Sequence, residues 1–165
     1  MYYHFNTHVQ RAKYTSIDQI ATINHNMGLV NRFPFLLPRN AFSGKVVSDY
    51  DFTWTELDEM PETWKEAFGE QMAEEINDIL VKAGYSDKYR ITQIKEKYGQ
   101  LRWYDEGVPK KIWDEVQEVI RKYEVLSEKI CICCGKPATH LTKGWITHVC
   151  EDCYNRIEKK GLVIV

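Results

Sequence analysis

Two C-x-x-C pairs, Cys131/Cys134 and Cys150/Cys153, stand fifteen residues apart in the last third of the chain. They constrain the fold more than any other feature, because four thiols at that spacing can close on one metal ion. In each pair the two-residue spacer allows a tight turn that points both sulfurs at the ion, while backbone amides offset the thiolate charge. The run Cys131-Ile132-Cys133-Cys134 offers a choice of ligands. Gly135 follows Cys134 and supplies the φ > 0 position of a knuckle turn, which selects Cys131 and Cys134 and leaves Cys133 over. Between the pairs, Thr139-His140-Leu141 and Trp145-Ile146-Thr147-His148-Val149 flank Lys143-Gly144 and predict a β-hairpin. The expected unit is a zinc ribbon with one structural Zn²⁺, since four sulfur ligands leave no open coordination position. Disulfides are the competing use of these thiols. Five cysteines is an odd number, and no signal-peptide pattern follows Met1, so a reducing cytosol is expected. His140 or His148 could replace one sulfur; exposed hairpin positions are the expectation for both.

At 165 residues the chain has room for one domain and a small metal-held appendage, divided here as 1–128 and 129–165. Lys and Arg total 22 against 24 Asp and Glu, a formal charge of −2. Four thiols ionised onto one Zn²⁺ would take this to about −4. Such a balance excludes a protein that coats nucleic acid through a global basic surface, so any phosphate recognition must be local. No apolar run approaches the length of a membrane span, and no lipidation signal is present.

Taken in order, residues 1–15 show no clear period. Ser16 then caps a short helix with Ile17, Ile20, Ala21 and Ile23 on one face, expected to end near Met27-Gly28. Residues 33–45 carry two prolines and a glycine among Phe33, Phe35, Leu36 and Leu37, so they form a loop that must be packed down. That loop would hold Arg39, Asn40 and Lys45 as an anion clamp, or Arg39 and Asn40 would satisfy buried loop carbonyls instead. Tyr50 to Trp54 suits a strand. Pro61 opens a helix whose apolar face is Trp64, Phe68, Met72, Ile76, Ile79 and Leu80, with Gly84 past its end. Pro109 opens another, with Ile112, Val116, Val119, Ile120 and Tyr123 inward.

Between those helices, residues 89–97 and 100–104 flank Tyr98-Gly99 and predict a second hairpin. Strict alternation sets Arg90, Thr92, Ile94 and Glu96 against Ile91, Gln93, Lys95 and Lys97, and neither face is clean. Lys95, Lys97 and Arg102 lie among Tyr98, Trp103 and Tyr104. Cations for phosphate interleaved with aromatic rings for bases is what a nucleotide or single strand requires. An ordinary strand pair with core aromatics and solvated lysines has the same composition. The fold class expected overall is α+β: a small core of two or three helices with an antiparallel hairpin, plus the C-terminal zinc ribbon.

Pro38-Arg39-Asn40, Ser43-Gly44-Lys45, Thr55-Glu56-Leu57-Asp58, the run from Lys95 to Tyr104, and the C-x-x-C-G…G-W…C-x-x-C ribbon together resemble a group of small proteins encoded by tailed phages and prophages. The likeness spans roughly residues 33–154. It implies an accessory role in the cytoplasm of a bacterial host and carries over no catalytic residues, since most such proteins have no assigned function. Thr63 departs from it, standing where a glycine is expected before Trp64.

Three functions are compatible with these features. The first is a non-enzymatic binder of a phosphate-bearing nucleotide, in which Arg39, Asn40, Lys45, Lys95, Lys97 and Arg102 hold phosphate and Tyr98, Trp103 or Tyr104 stack on a base. Its concrete form is a counter-defence protein that sequesters a nucleotide signal of host immunity. The second is a zinc-ribbon interaction module for nucleic acid or a host protein, working through Lys143, Trp145 and His148. The third is an enzyme, for which no H-E-x-x-H, G-x-S-x-G or P-loop pattern is present. A homo-oligomer, built through an arm in the first 30 residues, is a further expectation.

Overall fold

The computed structural model describes residues 16–40 and 43–160, with side chains as far as residue 157. The arm expected of the first 30 residues falls partly on 1–15, which lie outside the described residues.

Helix α1 (Ile17–Arg32) starts where the Ser16 hydroxyl accepts the Gln19 N–H at 3.2 Å. It runs one turn beyond the expected stop at Met27-Gly28. An interior glycine costs only about 1 kcal/mol, and continuing the helix buries Leu29 and Val30. Pro34 ends it by excluding helical backbone at Phe33 (φ −129°). Phe33, Phe35 and Leu36 are then buried around a 3₁₀ turn (Pro34–Leu36), so the apolar loop is packed down as expected.

The strand expected at Tyr50–Trp54 does not form. Asp49 and Phe52 adopt φ of 58° and 60°, which breaks any extended run. Partners other than a neighbouring strand take its polar groups: Asn26 Nδ2 donates to the Phe52 carbonyl at 2.9 Å, and the Tyr50 hydroxyl donates to the Trp54 carbonyl. A 3₁₀ turn (Glu56–Glu59) follows, closed by a capping box in which the Thr55 N–H donates to Asp58 Oδ2 at 2.6 Å.

Pro61 sits at the N-cap, one position before its expected place, and leads into α2 (Glu62–Trp64), a π turn (Lys65–Gly69) and α3 (Glu70–Ala83), one continuous rod. Trp64, Phe68, Met72, Ile76 and Leu80 are buried at a spacing of four. On a regular helix that spacing drifts about 40° per step. The wider π turn takes up part of the drift and keeps the stripe facing inward. Gly84, at φ 73°, caps the C-terminus.

Strands β1 (Arg90–Lys97) and β2 (Gln100–Glu106) pair antiparallel about Tyr98-Gly99, a two-residue loop with φ of 56° and 77°. The ladder shifts between Ile91 and Gln93, leaving Thr92 as a bulge. The bulge puts Ile91 and Ile94, three apart, on the buried face. That is why neither alternating set looked apolar in the sequence. Leu101 and Trp103 complete the inner face. Helix α4 (Lys110–Ser127) packs on α3 and on β2 through Ile112, Val116, Ile120 and Tyr123.

The ribbon comprises β3 (His140–Leu141), β4 (His148–Val149) and α5 (Glu151–Lys160). The architecture is thus α+β, with a helical core, a two-stranded antiparallel hairpin and a C-terminal four-cysteine ribbon. Among the described residues no helix is long and apolar enough to cross a membrane.

Candidate metal centre and hairpin face

The thiol sulfurs of Cys131, Cys134, Cys150 and Cys153 lie within 4.8 Å of one another, those of Cys134 and Cys150 at 3.5 Å. Four bonds of about 2.3 Å in a tetrahedron need sulfurs about 3.8 Å apart, so the cluster could hold one metal ion with small adjustment. All five cysteines are free thiols, and Cys133 is exposed and outside the group, as the position of Gly135 implied.

Backbone geometry builds the site. The Gly135 N–H donates to the Cys131 carbonyl at 2.8 Å while Gly135 adopts φ 73°, closing the first knuckle. The second pair stands at the start of α5, where the helix dipole favours thiolate. Arg156 Nη2 reaches Cys153 Sγ at 2.8 Å. Burial pushes the Cys131 thiol up, but N–H groups of Cys150, Cys133 and Cys134 outweigh it and bring it down to about 7. These contacts favour the deprotonated sulfur that a metal needs, while burial and the neighbouring thiols raise Cys134 and Cys153 and oppose it.

Neither histidine is simply an exposed hairpin position. His140 stacks on Tyr154 with ring centroids 4.8 Å apart. His148 Nδ1 lies 3.0 Å from the Gly99 carbonyl, and a Cβ on Gly99 would come within 2.9 Å of that nitrogen. The ribbon therefore docks on the turn of the β1–β2 hairpin. Two more bonds fasten it: Thr63 Oγ1 to the Ile132 carbonyl at 3.0 Å and Trp64 Nε1 to the Ile130 carbonyl at 3.3 Å. Thr63, the residue that departs from the phage-protein resemblance, pins the ribbon. Sequence reasoning could not see this seam, because its partners lie up to 69 residues apart.

The hairpin divides the expected ligand residues. Lys95, Lys97, Arg102 and Tyr104 share the face opposite Ile94, Leu101 and Trp103. Tyr98, at the turn, is 68% exposed. Lys95 Nζ stands 5.2 Å from the Tyr104 ring centre and Lys97 Nζ 5.5 Å from that of Tyr98. Arg102 is tied to Gln100 and approaches Glu124 at 3.9 Å. Trp103 does not join them. It is 4% exposed and donates its indole N–H to the Tyr89 hydroxyl at 2.9 Å, so it is a core residue rather than a stacking platform.

The 39–45 loop meets the opposite end of β1. Arg39 Nη1 donates to the Gly44 carbonyl at 3.0 Å and Asn40 Oδ1 accepts the Ser43 N–H at 2.9 Å, both bonds that shape the loop itself. Arg39, Asn40 and Gly44 border a cleft of about 260 Å³ with residues 90–94; Lys95, Lys97, Arg102 and the exposed Lys45 do not line it. The loop residues Arg39 and Asn40 thus stand at the start of β1, and the hairpin cations toward its end.

Glu56 lies in that cleft, where burial and the nearby Glu59 outweigh the Arg39 N–H and guanidinium and raise its pKa from 4.5 to about 7. The folded state keeps this proton between those two values and the unfolded state releases it, so stability from this group falls as pH rises through the window. Relative to the parent protein, Glu56→Gln is expected to gain in urea midpoint between pH 6 and 8. An unchanged difference across that range would show Glu56 to be ionised throughout. No family model, curated protein or solved structure matches this chain.

Proposed function

We propose that the chain is a non-enzymatic accessory protein of phage type, in which a structural Zn²⁺ on the four cysteines braces a hairpin whose outer face binds a phosphate-bearing nucleotide ligand. The observation that carries this reading is the outward grouping of Lys95, Lys97 and Arg102 with the exposed rings of Tyr98 and Tyr104. Cations on that face neutralise phosphate and the rings stack on bases, a combination that tolerates an overall charge of −2 because it is local. Zinc is favoured over other ions by the all-thiolate tetrahedral donor set. A counter-defence protein capturing a nucleotide signal in a bacterial cytoplasm is the role that best joins this face to the phage-like sequence.

Binding of labelled mononucleotides, cyclic dinucleotides and short single strands, read by anisotropy over a salt series, tests the reading. Lys97→Ala is expected to weaken binding about tenfold with an unfolding midpoint close to the parent's, since its side chain is exposed. A large stability loss instead would assign Lys97 to the scaffold.

A second reading, a ribbon that docks on a host protein, is favoured by Trp145, 64% exposed beside Ile146 and Lys143. Binding with little salt dependence that Trp145→Ala abolishes and Lys97→Ala leaves intact would select it.

A further inference from the structure

The cleft between the 39–45 loop and β1 brings together groups that the hairpin face does not use. Trp54, exposed at its mouth, offers an aromatic wall; Arg39 and Arg90 offer guanidinium groups, that of Arg90 paired with Glu106 at 3.0 Å; and Glu59 offers a carboxylate beside Glu56. Arg39 Nε is buried without a hydrogen-bond partner among the described residues, although Nη1 of the same side chain is satisfied by Gly44. Buried donors in folded proteins are nearly always paired, so an orphan marks a place for a partner beyond the described residues. Gly44 lets the Arg90 guanidinium pack against the loop backbone at the cleft wall, since a Cβ there would stand 2.2 Å from Arg90 Nη1. The Thr92 bulge re-aims β1 at the same point, as bulges beside binding sites do.

The ligand chemistry follows from the donor and acceptor sets. A planar ring stacks on Trp54. An edge with two adjacent acceptors suits an arginine fork, and an edge with two adjacent N–H donors suits a carboxylate. Guanine alone among the common bases carries both edges. About 260 Å³ is the scale of one base rather than of a whole drug-sized ligand. The cleft also adjoins the cationic face, because Gln93 lines it and accepts a hydrogen bond from Lys95.

We propose that this cleft is a guanine pocket, taking the base of a guanine nucleotide, free or at the end of a strand, whose phosphates lie along Lys95 and Lys97. This rests on the hairpin face being the phosphate-binding surface, and the test separates the two. Labelled (dT)₈ and the same strand ending in dG, dI or dA are titrated by anisotropy, and guanosine monophosphate is titrated alone. The dG strand is expected to bind at least about tenfold more tightly than (dT)₈ or the dA strand, with dI between, since hypoxanthine lacks the exocyclic amine. Glu59→Gln and Trp54→Ala should each erase that preference, whereas Lys97→Ala should weaken every strand and keep the preference. Mononucleotide binding as tight as the dG strand would identify the free nucleotide as ligand, and strand binding alone the strand end. Equal affinity for dG and dT overturns the pocket and keeps the hairpin face. Absence of all binding overturns both.

Discussion

Cys150→Ser is expected to reduce bound metal from about one ion per chain to near zero and to unfold the ribbon. Metal binding by a site of this kind is folding free energy, on the order of 10 kcal/mol or more for small zinc units. The ribbon has little else: its own core is Cys131, Val149, Cys150 and Cys153, packed with Ile132, Tyr154 and Ile157. Without the ion, three converging sulfurs are left in a small space with only backbone N–H groups and Arg156 as partners. Amide exchange should therefore quicken from residue 131 to 157 and at Gly99, whose carbonyl faces His148. Cys133→Ser supplies the internal control, because that thiol is exposed and outside the cluster, and its metal content should stay near one. Metal retained by Cys150→Ser, or lost by Cys133→Ser, would overturn the ligand assignment.

That assignment was legible because it is local. Two residues separate the cysteines of each pair, and a glycine after the second selects the sulfur, so short-range geometry decides the outcome. The Ser16 cap, the Trp64-to-Leu80 stripe, Gly84 and the Tyr98-Gly99 turn were readable for the same reason. What was hidden depended on distant partners or on irregularity. Extending α1 past Gly28 is favoured only because the core waits to bury Leu29 and Val30. Tyr50–Trp54 has strand composition but finds Asn26 in place of a strand. The Thr92 bulge changes the phase of β1, which decides the faces, and no composition reveals it. Trp103 and Tyr104 are adjacent aromatics with opposite fates, set by which face of β2 meets α4. The place of the 39–45 loop against the hairpin was not legible either, since nothing in the sequence says which end of β1 that loop touches.

Trp64→Ala is expected to be the most damaging single change outside the metal ligands. Trp64 is fully buried, and truncating a large aromatic in a core costs about 3–5 kcal/mol, a large share of the 5–15 kcal/mol typical of a whole domain. Met72 and Leu80 are buried as completely, but Trp64 also donates its indole N–H to the Ile130 carbonyl, one residue before the first metal ligand. Its loss therefore acts in two places: a cavity opens in the helical core, and the ribbon loses a fastening that Thr63 alone must carry on that side. Trp64→Phe helps to separate them, because it keeps one six-membered ring in the core, opens a smaller cavity and removes the donor. Its cost should be smaller, about 1–3 kcal/mol for the part left unfilled and the carbonyl left unpaired, yet exchange at residues 130–132 should quicken in both variants. The four sulfurs do not touch Trp64, so both should keep their metal at neutral pH under native conditions. Denaturant midpoints of metal-loaded protein measure the first effect and amide exchange the second. A Trp64→Ala loss below about 1 kcal/mol would mean the site collapses around the missing ring. Unchanged exchange at 130–132 in Trp64→Phe would mean that the metal, and not this seam, fixes the ribbon against the hairpin.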